Sequence, residues 1–208
     1  MDIAIKMTSQ IEDILSNMKF GTPRNNLNGM GRNVPLTVHG KDFHLTTPLC
    51  TAPFGITRRN KDQTESISLA LRPLQADSKH MQFLSQLDKM IVAHAHANQQ
   101  DFFGTSGKSL PVIADRFYST IKQSNKDYPA FFESKLKLKD NTPLYKLTDA
   151  EGNTIENVEK NSTVTAQICY PSLWISNTGF GLNAKLVYAV VKPPVNTNIA
   201  SYAIVDEM

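Results

Sequence analysis

A mainly β domain with one long central helix, on an α+β or small-barrel plan, is the fold class this sequence predicts. Three observations carry that expectation. Segments such as "SISLAL", "STVTAQICYP" and "NAKLVYAVV" alternate apolar and polar residues or carry β-branched runs. One segment, residues 77–98, sustains the longest helical stripe. Turn-forming stretches, "RRNKDQT", "AEGN" and "NTGFG", separate the runs.

The elements follow in order. Ser9 and Glu12 fit a capping box, and Ile11, Ile14, Leu15 and Met18 share a face, predicting a short helix that ends near Lys19. "FGTPRNNLNGMGRN" has no apolar period and reads as a loop. "VPLTVHGKDFHLTTP" alternates on either side of His39-Gly40-Lys41, as a hairpin does. "LCTAPFGITRR" and "ESISLALRP" read as two strands, with Ile67, Leu69 and Leu71 on one face. Asp77 is placed to cap a helix running to about Asn98, whose Phe83, Leu84, Leu87, Ile91 and Ala95 align. "DFFGTSGKSLP" reads as a loop, and "ADRFYSTIKQS" as a further helix aligning Ile113, Phe117 and Ile121. Beyond Tyr128 strands return in "AFFESKLKLK", "TPLYKLTD", "STVTAQICYP" and "NAKLVYAVV", until Pro193-Pro194 stops the last one.

Composition narrows the functional classes. At 208 residues and 40% hydrophobic content the chain can bury one real core. The net charge of +3 is too small to name a polyanionic partner by itself, but its distribution is uneven. Between Lys108 and Lys146 stand eight basic residues against four acidic ones, and no basic residue follows Lys192. Cys50 and Cys169 are too few and too far apart for a disulfide framework or a Cys-x-x-Cys zinc site, as in a reduced intracellular protein. No segment reaches transmembrane length, so no membrane partner is expected.

Several motifs fail on their chemistry. "GTSGKS" resembles a phosphate-binding loop, yet Phe102 stands where the motif needs its first Gly, and Leu110-Pro111 follows. His94 and His96, two apart on a helix, point in nearly opposite directions and cannot share one ion. No Gly-x-Ser-x-Gly elbow is present, and neither an enzymatic activity nor a cofactor is expected. What remains is a binding pattern. In "SKLKLK", Lys135, Lys137 and Lys139 project from one strand face while Leu136 and Leu138 enter the core. Arg58, Arg59 and Lys61 add a basic loop, and Lys185 a further cation in the last strand. A solvated strand face explains such spacing somewhat better, so the aromatic residues weigh more. Trp174 and Phe180 bracket the "NTGFG" connection, and with Phe54 and Tyr145 they are the candidate stacking platforms for bases.

Taken in order, "SISLAL", the 77–98 helix, "TPLYKLTDAEGNTIENV", "STVTAQICYP", "LWISNTGFG" and "AKLVYAVV" resemble the single-stranded-DNA-binding proteins of the bacteriophage T-seven type, with counterparts in nucleocytoplasmic large DNA viruses. The resemblance covers residues 48–192. It implies a five-stranded Greek-key OB barrel capped by one long helix. Residues 48–194 are then the nucleic-acid-binding domain, 1–47 an extension of helix, loop and hairpin, and 195–208 a short tail. It implies a protein that coats single-stranded DNA during viral replication or recombination, in the host cytoplasm or nucleus. Trp174 falls on the family's loop tryptophan, and Lys137 and Lys139 fall near its basic strand residues. Ser172 and Leu173 stand where phage members carry Tyr and Lys, and "DEM" where they carry a long acidic tail used for dimerisation and for contacting the replication machinery. The expected partners are single-stranded DNA and, with it, viral replication proteins and a second copy of the chain. The competing expectation is a structural virion or scaffold protein, with Trp174 and Phe180 in a protein interface.

Overall fold

Five strands close on themselves into a ring. The structure, a computed structural model, describes residues 11–26, 31–61, 64–75, 78–123 and 128–194. Among these the strands of three or more residues are, in chain order, β1 (Met18–Phe20), β2 (Arg32–Val38), β3 (His44–Thr46), β4 (Cys50–Ala52), β5 (Ile56–Lys61), β6 (Thr64–Pro73), β7 (Phe131–Lys135), β8 (Lys146–Thr148), β9 (Ser162–Ile175) and β10 (Phe180–Lys192). β4 pairs β6 through Cys50↔Pro73, and β6 pairs β7 from Leu71↔Phe132 to Ser68↔Lys135. β7 then meets β10 in parallel at the register pair Lys135↔Lys185. β10 pairs β9 along the length of both, and β9 returns to β4 through Ser162↔Ala52 and Val164↔Cys50. Of the five ring strands the first therefore pairs with the second and fourth, and the third with the fifth in parallel. That is the closed Greek-key barrel of an OB fold, as expected.

The alternation that predicts the strands fills the barrel. Ile67, Leu69 and Leu71 of β6, Phe132 of β7, Val164, Ala166 and Ile168 of β9, and Leu186, Ala189 and Val191 of β10 are all buried. Each Leu, Ile, Val or Phe so placed is worth about 1.5–3 kcal/mol relative to an exposed one. Pro171 cannot donate to a ladder, and the β9–β10 register slips between Cys169 and Ser172 to accommodate it. The expected helix runs Lys79–Ala97 and buries Phe83, Leu84, Leu87, Ile91 and Ala95 against the barrel. Phe83 meets Phe43 edge-on at 5.9 Å, and the His80 ring packs on Phe132 at 4.8 Å. Ser9 and Asp77, the expected helix starts, lie outside the described residues, as do the side chain of Lys61 and the tail 195–208.

Strands within residues 32–46 share the barrel's sheet. The expected hairpin turns at His39-Gly40, both with positive φ (51° and 73°), the two-residue geometry that Gly tolerates best. β2 pairs β9 from Pro35↔Ser172 to Arg32↔Ile175, and β3 pairs it from Thr46↔Gln167 to His44↔Cys169.

Three sequence expectations are corrected. "LCTAPFGITRR" is two strands, broken where Gly55 (φ 63°) brings the chain so close to Val158 that a Cβ would lie 2.4 Å from its carbonyl oxygen. "DFFGTSGKSLP" is not all loop, because Gln99–Phe103 is helical and ends at Gly104 with φ 67°. "ADRFYSTIKQS" is not a helix. A short helix, Leu110–Ala114, gives way to two-residue strands at Phe117–Tyr118 and Ile121–Lys122. The reason is tertiary. Asp88, buried on the long helix, accepts hydrogen bonds from Ser119 Oγ (2.7 Å), Thr120 N–H (2.9 Å) and Thr120 Oγ1 (2.6 Å), holding that turn against the helix.

Candidate nucleic-acid interface

Cross-strand partners in a sheet share a face, and so do residues two apart on one strand. On β10 this groups Gly181, Asn183 and Lys185 on the outer face. Gly181 lies between Trp174 of β9 and Tyr118. Asn183 lies opposite Ser172. Lys185 lies opposite Lys135, which in turn lies opposite Ser68 of β6. One continuous outer surface therefore carries an aromatic pair at one end and a lysine pair about 13 Å along the strand.

The aromatic end is built on a glycine. A Cβ at Gly181 would lie 3.0 Å from Nε1 of Trp174, closer than an ordinary contact, so a side chain there would push on the indole where it lies across β10. Trp174 is half-buried, and Tyr118 flanks it with ring centroids 5.2 Å apart and planes at 52°. Tyr118 is 51% exposed, which leaves an open aromatic surface. Beside it the Asn183 amide donates to Ser172 Oγ (3.0 Å) and Asn33 Oδ1 (3.3 Å), fixing a polar patch between rings and lysines.

The basic end gathers four lysines. Lys135 and Lys185 are register partners, Lys122 pairs with Phe131 on the neighbouring short strand, and Lys137 follows β7. The Lys135 side chain reaches solvent, yet its ammonium is held below the ordinary lysine value. Partial desolvation is the first cause, and the charges of Lys137, Lys122 and Lys185 add to it while Glu133 opposes. Such a group gains from any anion that arrives. A groove of about 330 Å³ runs here between Glu65–Ile67 and Lys135–Leu138.

Each expected contact residue has a definite place. Arg58 pairs with Glu65 (3.1 Å) and Arg59 lies 3.9 Å from Glu133, so both arginines on β5 are partly compensated. Phe54 is 54% exposed and stands edge-on to Phe131 at 5.8 Å, on the same outer face as Lys135. Tyr145 is half-buried against the core. Phe180 corrects the expectation of a stacking platform. It is 0% exposed and packed on Phe103 (5.3 Å) and Phe117 (5.2 Å), because it pairs with Ile175 on the inner face while Trp174 takes the outer one. "SKLKLK" is also corrected. β7 ends at Lys135, Leu136 is buried, and Leu138 is exposed because Leu138–Lys139 pairs with Thr142–Pro143 in a hairpin turning at Asp140-Asn141. Lys139 thus stands off the barrel sheet.

Sequence reasoning missed Tyr118, Lys122 and Asn33, although the alternation of Phe131, Glu133 and Lys135 in "FFESK" already marks an outer face. The "GTSGKS" loop is held by Gln99, whose amide donates to Lys108 O (2.8 Å) and accepts from Lys108 N–H (2.9 Å). His94 stacks on Phe20 at 4.1 Å, and its burial lowers its pKa. Among the described residues no group of three His, Cys, Asp or Glu is placed to hold a metal, and no helix is long and apolar enough to cross a membrane.

No family model matches the chain, and no curated protein matches it. Solved structures do. The chain is similar to the single-stranded DNA-binding protein from bacteriophage Enc34, at 14% identity over 88% of this chain and 96% of that one, with a TM-score of 0.41. The same protein in complex with single-stranded DNA gives 13% identity over 85% and 96%, with a TM-score of 0.45. A third is gp2.5, a single-stranded DNA-binding protein encoded by bacteriophage T7, at 12% over 77% and 98%, with a TM-score of 0.39. The chain resembles phage single-stranded-DNA-binding proteins. The barrel and its outer face, as described above, stand on the chain's own strand register.

Proposed function

We propose that this protein binds single-stranded DNA on the outer face of β6, β7 and β10. Trp174 and Tyr118 stack on bases, and Lys135, Lys185, Lys122 and Lys137 face phosphates. The observation that carries this reading is the unbroken outer surface from the Trp174–Tyr118 pair to the Lys135–Lys185 pair. Stacked bases contribute about 1–3 kcal/mol each without regard to sequence, and the phosphate contacts add a salt-dependent term. OB folds bind oligonucleotides on the second and third strands and on the loops between strands one and two and between four and five. Here those are β6, β7, the Phe54 to Arg59 connection and the β9–β10 hairpin tip. Such a protein coats and protects single strands in viral DNA replication or recombination.

Trp174 is the only tryptophan, which makes the test direct. Titration with oligo-dT is expected to quench its fluorescence, duplex DNA is not, and Lys135→Ala/Lys185→Ala is expected to weaken binding and flatten its salt dependence. Binding of oligo-dT that ignores both this pair and Trp174→Ala would put the interface elsewhere.

A further inference from the structure

Beneath the tip of the β9–β10 hairpin, on the face opposite Trp174, two arginines share a cavity of about 180 Å³ with Phe102, Phe103, Ser176 and Asn177. Arg32 is the register partner of Ile175, the residue after Trp174. Its guanidinium donates from NH1 to Asp101 O (2.9 Å) and from NH2 to Phe102 O (2.5 Å). Arg116 donates from NH2 to Asn177 O (3.0 Å) in the hairpin tip and lies 4.9 Å over the Phe103 ring.

Both guanidinia are thus fixed in place by neutral groups. Neither forms an ion pair with a carboxylate among the described residues, in contrast to Arg58 and Arg59. A guanidinium carries five N–H donors, and the carbonyl bonds engage two on Arg32 and one on Arg116, so full charge and unspent donors face one small cleft. The fork geometry of arginine suits a tetrahedral oxyanion, bound through two parallel N–H···O bonds. The cleft is smaller than the ~300–1,000 Å³ of pockets that take a whole drug-sized ligand, so its size fits one phosphate group, not a nucleotide.

The geometry points to Arg32 and Arg116 as a pocket for one phosphate group, presented by the same single strand as it leaves the Trp174–Tyr118 platform and rounds the hairpin tip. This rests on the single-strand reading above. It extends the footprint from the outer face around Ser176–Gly179, and it gives the two arginines one shared ligand.

Two probes, three variants and the combination of two of them test it. Oligo-dT affinity is followed by Trp174 fluorescence across a salt series, and inorganic phosphate by thermal unfolding against chloride of matched ionic strength. The variants are Arg116→Gln, Arg32→Gln and the charge-conserving Arg116→Lys. One shared phosphate predicts that either Gln variant lowers the slope of log affinity against log salt by about 0.7, that combining them lowers it no further, and that Arg116→Lys keeps it. Phosphate is expected to raise the melting temperature of the wild type and not of the Gln variants. If the salt slope is unchanged in Gln variants that fold, the pocket is not on the strand's path, and loss of the phosphate shift alone marks a site for free phosphate only. If Arg116→Gln does not fold, Arg32→Gln supplies the same slope. A wild type that ignores oligo-dT overturns the single-strand reading itself, an outcome distinct from a wild type that binds with variants that match it.

Discussion

At Gly181 the Trp174 indole lies so close that a Cβ would press on it, and one register step away Phe180 fills the core. The two large rings at the hairpin tip therefore differ in kind. Phe180→Ala is expected to cost about 3–5 kcal/mol of stability, as a buried Phe does. Trp174→Ala is expected to leave most stability in place while removing about 1–3 kcal/mol of oligo-dT binding. Chemical unfolding paired with a binding titration separates the two, and equal stability losses would contradict the assignment of faces. The sequence shows both rings beside a turn but not which faces out, since that parity depends on the pairing register across the hairpin. A second prediction belongs to His80. Its Nε2 has no partner among the described groups, and burial against Phe132 lowers its pKa from 6.5 to about 4. Between those values the unfolded chain takes up a proton that the folded protein refuses. Stability is therefore full above pH 6.5 and falls as pH drops toward 4, by about 3 kcal/mol at most. Urea unfolding at neutral and acidic pH measures the loss, and His80→Leu is expected to flatten it.

At the scale of elements, the Ser119-Thr120 turn is the joint on which the proposed interface depends. It connects the strand carrying Tyr118 to the strand carrying Lys122, and Asp88 on the long helix holds it by three short hydrogen bonds. Asp88→Ala removes three hydrogen bonds, each worth about 0.5–1.5 kcal/mol, and frees the turn. The expected result is weaker oligo-dT binding together with a changed Trp174 emission in the free protein, because Tyr118 loses its fixed place beside the indole. Unaltered emission would show that the clamp does not position Tyr118. This joint was not legible in the sequence. Ile113, Phe117 and Ile121 satisfy a helical period, and the carboxylate that overrides it stands more than thirty residues earlier. Elements that carry their own signal were legible. β6 sets Ile67, Leu69 and Leu71 on one face, the Lys79–Ala97 helix shows its stripe, and the His39-Gly40 turn states its own geometry. "SKLKLK" failed because local alternation does not say where a strand leaves its sheet.

Across the whole molecule, closure of the ring rests on unequal joints. β9 and β10 pair along their full length, whereas β7 and β10 meet in register only at Lys135↔Lys185. Like charges directly opposite one another weaken a strand pair. The barrel is thus latched at its thinnest joint by two groups that repel, and in the proposed complex a phosphate lying between them turns the latch from a strain into a clasp. Occupancy and closure then become one equilibrium, in which ligand at a hundredfold its dissociation constant adds about 2.7 kcal/mol. Amide hydrogen exchange reads it: β7 amides near Lys135 are expected to exchange readily in the free protein and to slow at least tenfold with oligo-dT, while the central amides of β9 change little. On this account the protein without its strand is a barrel that breathes at one seam, and the nucleic acid completes its wall.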